Sequence, residues 1–343
     1  MNALIIGLTP IQHEAFPEVF YAGGMDDSRA PALRPILTLT VNPALDVSTS
    51  TEQVVSEHKM RCGRSRLDPG GGGVNVARVV QRLGGQALAV YTAGGPTGEA
   101  FRRLIEAERI PTVAVPIQGS TRESFTVDET GTGKQFRFVL KGPELSETEW
   151  RACLAVVEES IPVGGYVVAS GSLPPGVPDD FYARVTRLAH ERDAHCVVDT
   201  SGPALAAALT EGVYLVKPSG RELGELVGAT LDTEQSKIDA AVELVARGSA
   251  QIVALTLGGA GAVLASKSGI IRLGVPQVTV QSTVGAGDSF LGAFVLRMAQ
   301  GHPVDRAFRA AVAAGTATAM TPATELCHRA DVERLEAELL ARA

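Results

Sequence analysis

The run Ser282-Thr283-Val284-Gly285-Ala286-Gly287-Asp288-Ser289 sets a carboxylate directly behind two glycines. Before it, Ile270-Ile271-Arg272-Leu273 through Val278-Thr279-Val280 has strand character. After it, Phe290, Leu291, Phe294, Val295 and Met298 recur at helical spacing. The glycines are therefore expected at a helix N-terminus, where free backbone N–H groups and the positive end of the helix dipole attract an anion. Gly285 and Gly287 would let the backbone approach a phosphate closely. A carboxylate repels a resting phosphate, so Asp288 suits removal of a proton from a hydroxyl that attacks it. An ordinary glycine turn with an aspartate in the first helical turn fits the same residues, and the motif alone leaves both readings open.

A second run, Asp68-Pro69-Gly70-Gly71-Gly72-Gly73-Val74-Asn75-Val76-Ala77-Arg78, lies far upstream. Four glycines without Cβ would let a small polar ligand lie on the main chain, at Gly71, Gly72 and Gly73 in particular. Asn75 offers a donor and an acceptor suited to sugar hydroxyls. The following helix is expected to bury Val76, Val79, Val80 and Leu83 and to stop at Gly84-Gly85.

The elements that must position these loops alternate between strand-like and helix-like segments, the pattern of a sheet covered by helices on both faces. Strands are expected at Ile36–Val41, Ala87–Thr92, Tyr166–Ser170, His195–Asp199, Tyr214–Lys217 and Ile252–Leu257, and apolar runs such as Val167-Val168-Ala169 suit buried parallel strands. Helices are expected at Thr97–Glu108, Glu147–Ser160, Asp179–Glu191, Gln235–Arg247 and Asp288–Gln300. Ser146 and Glu149 have capping-box spacing before the second of these. Two stretches, about 47–67 and 122–140, read as β-structure without crossover helices. In the second, Phe125-Thr126-Val127 and Gln135-Phe136-Arg137-Phe138 flank the turn Thr130-Gly131-Thr132-Gly133. They would form a small separate sheet.

The order and separation of the two glycine runs resemble a ribokinase-type carbohydrate kinase of the phosphofructokinase B family. The resemblance extends through Ile36-Leu37-Thr38-Leu39-Thr40-Val41-Asn42-Pro43-Ala44-Leu45-Asp46, Ser170-Gly171-Ser172-Leu173-Pro174-Pro175-Gly176 and Val198-Asp199-Thr200-Ser201-Gly202. It implies a three-layer α/β/α fold over residues 35–343, with the small sheet as a lid over the sugar site and as a homodimer surface. Two details resemble the 6-phosphofructokinase branch more than 1-phosphofructokinases or tagatose-6-phosphate kinases. The run Gly70-Gly71-Gly72-Gly73 stands where those relatives usually carry Gly-Gly-Lys-Gly, and Lys59-Met60-Arg61-Cys62 lies in the first lid segment. The implied activity is transfer of phosphate from Mg·ATP to the 1-hydroxyl of fructose 6-phosphate. Those two relatives' substrates are the alternatives, and a non-catalytic sugar-phosphate sensor is the reading from another class.

The resemblance also assigns roles. Asp288 would be the base, with the backbone of Gly285, Ala286 and Gly287 as anion hole. Asp46, at the end of the first strand, would bind sugar hydroxyls with Gly71, Gly72, Gly73 and Asn75. Lys59, Arg61, Arg122 and Arg137, all in lid segments, would hold the sugar's remote phosphate, the first two by reaching the neighbouring subunit. Lys217, Ser219, Thr256, Gly258 and Gly261 mark the nucleotide side, and Glu222 would act on Mg²⁺ through water. In the family the stretch Lys217-Pro218-Ser219-Gly220-Arg221-Glu222 reads Lys-Pro-Asn-x-x-Glu; the shorter Ser219 puts Mg²⁺ affinity in question. A monovalent cation such as K⁺ is expected beside the catalytic loop, near the Ser282 and Val284 carbonyls.

Composition agrees with this reading. The 343 residues, 45% hydrophobic, can bury a large core, and a formal charge of −7 argues against a nucleic-acid surface. Cys62, Cys153, Cys196 and Cys327 are widely spaced, as expected of reduced thiols in a cytoplasmic protein. No apolar run reaches the roughly 18–20 residues needed to span a bilayer. The N-terminus lacks the basic start of a signal peptide, and residues 1–34 are expected to form a poorly structured extension, or to precede a true start at Met25. A dinucleotide dehydrogenase is disfavoured, because Asn42-Pro43-Ala44-Leu45-Asp46 follows the first strand where G-x-G-x-x-G would be required.

Overall fold

Apolar residues dominate β1 (Ile36–Thr40), β4 (Leu88–Ala93), β8 (Tyr166–Ser170), β9 (His195–Asp199), β10 (Val213–Val216) and β11 (Ala250–Thr256), and nearly all of them are buried. Strands apolar on both faces need cover on both faces. In the computed structural model, which describes residues 33–342, that cover is two layers of helices. Alternate residues of one strand enter opposite layers: Val167 and Val198 pack with α3 (Glu147–Ser160), α4 (Phe181–Glu191), α5 (Gly202–Thr210), α6 (Gly220–Val227) and α7 (Glu234–Ala246). Val168 and Val197 pack with α1 (Gly72–Arg82), α2 (Gly95–Ala107), α8 (Ala286–Ala299), α9 (Val304–Ala319) and α10 (Arg329–Ala341).

The main sheet has nine strands in the order β13-β12-β11-β10-β9-β8-β1-β4-β5, with β5 spanning Thr112–Pro116. Pairing is parallel from β5 to β11, and β12 (Ala262–Ser266) and β13 (Gly269–Leu273) extend it antiparallel. Strand order reverses direction around β1 and β8, so the carboxyl ends there open a crevice where α/β sheets place ligands. Both glycine runs, one before α1 and one before α8, come to that side.

A second sheet, in the order β3-β2-β6-β7, comprises β2 (Ala44–Thr51), β3 (Arg66–Gly70), β6 (Arg122–Glu129) and β7 (Lys134–Val139). The hairpin at 130–133 forms as expected, and β2 pairs in parallel with β6, setting Ala44 opposite Arg122 and Asp46 opposite Ser124. The first lid segment holds less β-structure than its composition suggests: residues 52–65 form no strand, and β2 begins before residue 47, at Ala44. The strand expected to run on to Val280 stops with β13 at Leu273, because Gly274 and Pro276 break the run, and Val275, Pro276, Gln277, Val278, Val280 and Thr283 line a cavity instead. Residues 1–32 of the expected N-terminal extension lie outside the described residues.

Candidate active site

Gly285 is the N-cap of α8 with φ 75°, and a Cβ there would meet Leu326 Cδ2 at 2.6 Å. Glycine is thus required at this corner on both conformational and packing grounds. The helix that follows starts at Ala286, whose N–H donates back to the Thr283 carbonyl at 3.3 Å, and sets Asp288 in its first turn. Asn75, on α1, donates from Nδ2 to Asp288 Oδ2 at 2.8 Å, joining the two glycine runs across 213 residues of chain. Burial raises the Asp288 pKa most, and the charge of Asp199 raises it further; the Asn75 hydrogen bond, Lys217 and Arg137 pull it back, leaving it at about 6. A carboxyl poised near neutrality is suited to general-base work.

A cavity of about 180 Å³ joins Asp288 and Asn75 to Asp46, Gly71, Gly72, Gly285, Arg122 and Arg137, together with Ser124 and Thr324. Asp46 is raised to about 7, first by burial and next by the charge of Asp68, against the opposing pull of Arg122, Arg137 and Arg78. Arg122 donates to the carbonyls of Leu140 at 3.1 Å and Asn42 at 3.2 Å, and its buried Nε has no partner. Two cations, two carboxylates and an amide thus face one small space, a donor and acceptor set matched to a phosphorylated polyol.

The Gly70–Gly73 run reads differently in three dimensions. A Cβ at Gly70 would lie 2.0 Å from Asp46 Oδ2, at Gly71 2.7 Å from Thr40 Cγ2, at Gly72 2.2 Å from Ser170 Oγ, and at Gly73 2.4 Å from the Leu39 carbonyl oxygen. The four glycines let the β3–α1 corner settle onto the ends of β1, β2 and β8. Gly71 and Gly72 line the cavity, whereas Gly73 packs against β1 and is not among the lining residues.

On the nucleotide side, Lys217 directly follows β10, and its Nζ lies 3.1 Å from Asp199 Oδ1 at the end of β9. Burial opposes the lysine's charge, but Asp199, Asp288 and Glu222 outweigh it and hold the pKa above the usual lysine value. Lys217 Nζ also lies against Gly287: a Cβ there would be 3.1 Å from it. The cation therefore sits at the N-terminus of α8, where charge would collect on a transferring phosphoryl group. A neighbouring cavity of about 520 Å³ has Ser219, Thr256, Gly258, Gly261, Ala286 and Gly287 in its wall, with Val278, Phe290 and Val312 as apolar cover. Its apolar wall has the chemistry that would take a flat base, and Gly287 marks the end nearest Asp288.

Ser219 and Glu222 are engaged with each other. Ser219 caps α6, its Oγ accepting from the Glu222 N–H, while Glu222 Oε2 accepts from the Ser219 N–H and hydroxyl, both at 2.8 Å. The ordinary helix-capping role of both residues is therefore realised. Among the described residues no cluster of three or more His, Cys, Asp or Glu could hold a metal ion. Lys59 and Arg61 are exposed on the segment between β2 and β3 and line neither cavity.

A family signature for the pfkB family carbohydrate kinases matches residues 41–330. The chain belongs to that family. It is 46% identical over 299 residues to the ATP-dependent 6-phosphofructokinase isozyme 2 of Mycobacterium tuberculosis, covering 87% of this chain and 88% of that one. It is 41% identical over 305 residues to the enzyme of the same description from Escherichia coli, covering 89% and 98%. Solved structures of E. coli phosphofructokinase-2 in complex with potassium and in complex with fructose-6-phosphate superpose with TM-scores of 0.86 and 0.85, at 40% and 39% identity, each covering 90% of this chain and 99% of that one. The same E. coli protein has been solved in a tetrameric inhibited form. The three-layer kinase fold and a sugar-kinase class of reaction with ATP as co-substrate follow for this pfkB chain.

Spacing did not single out Asp68, Arg78 and Asp199. Asp199 carried a usable signal, an aspartate ending a buried strand as Asp46 follows β1. Asp68 and Arg78 lie beside the glycine run but show their partners only in three dimensions: Arg78 is 2% exposed, with its guanidinium among Asp68, Glu108, the Pro69 carbonyl and Asn75.

Proposed function

We propose that this chain transfers the γ-phosphoryl group of ATP to the 1-hydroxyl of fructose 6-phosphate. The observation that carries the reading is the shared cavity of Asp288, Arg122 and Arg137: a base at a helix N-terminus and two lid cations face one acceptor-sized space. The acceptor hydroxyl gives its proton to Asp288 as its oxygen bonds to the γ-phosphorus, and the bond from that phosphorus to the bridging oxygen of ADP breaks. The N–H groups near Gly285, Ala286 and Gly287, with Lys217, stabilise the charge on the transferring group. Asp46 and Asn75 accept and donate to sugar hydroxyls, and Arg122 and Arg137 hold the 6-phosphate.

Mg²⁺ would bind mainly through the nucleotide's own phosphates and its waters, with Glu222 and Asp199 as outer carboxylates, a donor set that suits a cation reluctant to dehydrate. When bound it would neutralise the polyphosphate. A monovalent cation would sit beside the Ser282 and Val284 carbonyls. We further propose a cytoplasmic homodimer formed through the lid, whose strands and their continuation expose Leu67, Phe138, Val139 and Leu140, with Lys59 or Arg61 reaching the partner's cavity. No helix among the described residues is long and apolar enough to cross a membrane.

The test is a panel of fructose 6-phosphate, fructose 1-phosphate and tagatose 6-phosphate with Mg·ATP. The highest kcat/KM is expected for fructose 6-phosphate; preference for either rival, or for an unphosphorylated sugar, overturns the assignment.

A further inference from the structure

Arg78 is the largest fully buried side chain among the described residues, and its guanidinium is spent on fixed partners. Nε donates to Glu108 Oε1 at 2.7 Å, NH1 to the Pro69 carbonyl at 3.1 Å and to Asn75 Oδ1 at 3.3 Å, and NH2 to Asp68 Oδ1 at 3.3 Å. Asp68 is itself held by Arg66 Nε and by the Thr324 hydroxyl, each at 2.8 Å. The cation is therefore immobile relative to α1, β3 and the segment before α10.

An arginine has donors only, so the Asn75 atom facing it must be the carbonyl oxygen. That forces the amide nitrogen toward Asp288, where it donates to Oδ2 at 2.8 Å. One lone pair of Oδ2 is then occupied, and Oδ1 is the oxygen with both lone pairs open to a proton. The other charged groups around Asp288 are Asp199 on β9, Lys217 after β10 and Arg137 on β7; those around Arg78 are Asp68, Glu108, Arg82 and Asp46. Asn75 is the bridge between the two sets.

We infer that Arg78 is a positioning residue for phosphoryl transfer: it fixes the polarity of the Asn75 amide and so selects the Asp288 oxygen that accepts the proton. The inference rests on the reading of Asp288 as base.

The test is a double-mutant cycle on kcat and KM with Arg78→Lys, which keeps a cation beside Asp68 and Glu108, Asn75→Ala, and the pair. Arg78→Lys is expected to lower kcat about tenfold while KM for ATP stays within about twofold, since neither residue lines the nucleotide cavity. In the Asn75→Ala background the same change should lower kcat by less than about twofold, because the route through the amide is gone. Equal losses in both backgrounds, or a loss below twofold in the wild type, overturn the inference. Should Arg78→Lys fail to fold, Glu108→Gln loosens the guanidinium from its outer side and is read the same way: a kcat loss that disappears with Asn75→Ala supports the inference, and a loss that persists or never occurs overturns it. Asp288→Asn is measured in parallel; full activity there removes the base assignment, whereas an inactive Asp288→Asn with an uncoupled cycle removes only the role of Arg78.

Discussion

Two raised carboxylates in one cavity give the acid limb of the pH–rate profile a shape that can be worked out in advance. Asp288 titrates at about 6 and Asp46 at about 7, both raised chiefly by burial. If the base must be ionised to take a proton and Asp46 must be ionised to accept from sugar hydroxyls, kcat/KM follows the product of the two ionised fractions. At pH 5 these fractions are about one-eleventh and about one-hundredth; at pH 8 both are near one, so the product falls roughly a thousandfold between pH 8 and pH 5. In Asp46→Asn one factor disappears, and the fall over the same interval shrinks to about tenfold with an apparent pKa near 6. The phosphate of the acceptor ionises in the same range, but it is common to both enzymes, so the decisive quantity is the difference between their profiles. The assay is initial rate at subsaturating fructose 6-phosphate and saturating nucleotide across pH 5 to 9. Superimposable limb steepness in the two enzymes would refute the reasoning, as would a wild-type profile that stays flat to pH 5.

The same shifts act on stability. A carboxyl whose folded pKa lies above its unfolded value binds more protons when folded, so it costs stability as pH rises from about 4 to about 7, and Asp46→Asn should raise Tm at pH 8 but not near pH 4. Asp288→Asn should lower kcat by about three orders of magnitude with little change in either KM, and a loss below tenfold would remove its assignment as base. Arg122→Ala should raise KM for fructose 6-phosphate roughly ten- to a hundredfold, the scale of one charge-assisted contact of about 1.5–3 kcal/mol, and leave KM for ATP unchanged; equal effects on both substrates would refute the phosphate contact. Ser219→Ala should cost about 1 kcal/mol in urea unfolding by removing the α6 cap. Ser219→Asn keeps a good cap and should lower the Mg²⁺ requirement; an unchanged magnesium titration would show that the serine is no compromise.

The fold was legible where periodicity is strong and local. Glu147–Ser160 and Tyr166–Ser170 have the bounds expected from pattern alone, and the Ser146–Glu149 capping box forms. Pattern was weaker where a segment owes its conformation to distant partners. The helix α9 was not among those expected, although its alanines favour helix; what the local sequence does not report is its burial against α8 and α10. Residues 274–280 alternate well enough to read as strand, yet they have no strand to pair with and serve as cavity wall. At the site, the catalytic loop announced itself through glycine spacing. The mutual capping of Ser219 and Glu222 was not read from the sequence, which marked both for the nucleotide side, and it shows only once α6 is formed.

The glycine run before α1 shows that one residue type can serve a site for more than one physical reason. Four bare Cα atoms were read as room for a ligand on the main chain; Gly71 and Gly72 line the cavity, while the direction a Cβ would take is filled by protein at all four, at Gly70 by the Asp46 carboxylate, at Gly71 by Thr40, at Gly72 by Ser170 and at Gly73 by the Leu39 carbonyl. What the absent side chains permit is the approach of α1 to the strand ends, and that approach brings Asn75 within hydrogen-bond reach of Asp288 and gives Asp46 room beneath the lid. A methyl at Gly70 would overlap Asp46 Oδ2 at 2.0 Å and displace the carboxylate without touching substrate. The run therefore serves binding and chemistry by setting distances between other groups, which is why its residues could be located from sequence while their work could be seen only with β1, β2 and β8 in place.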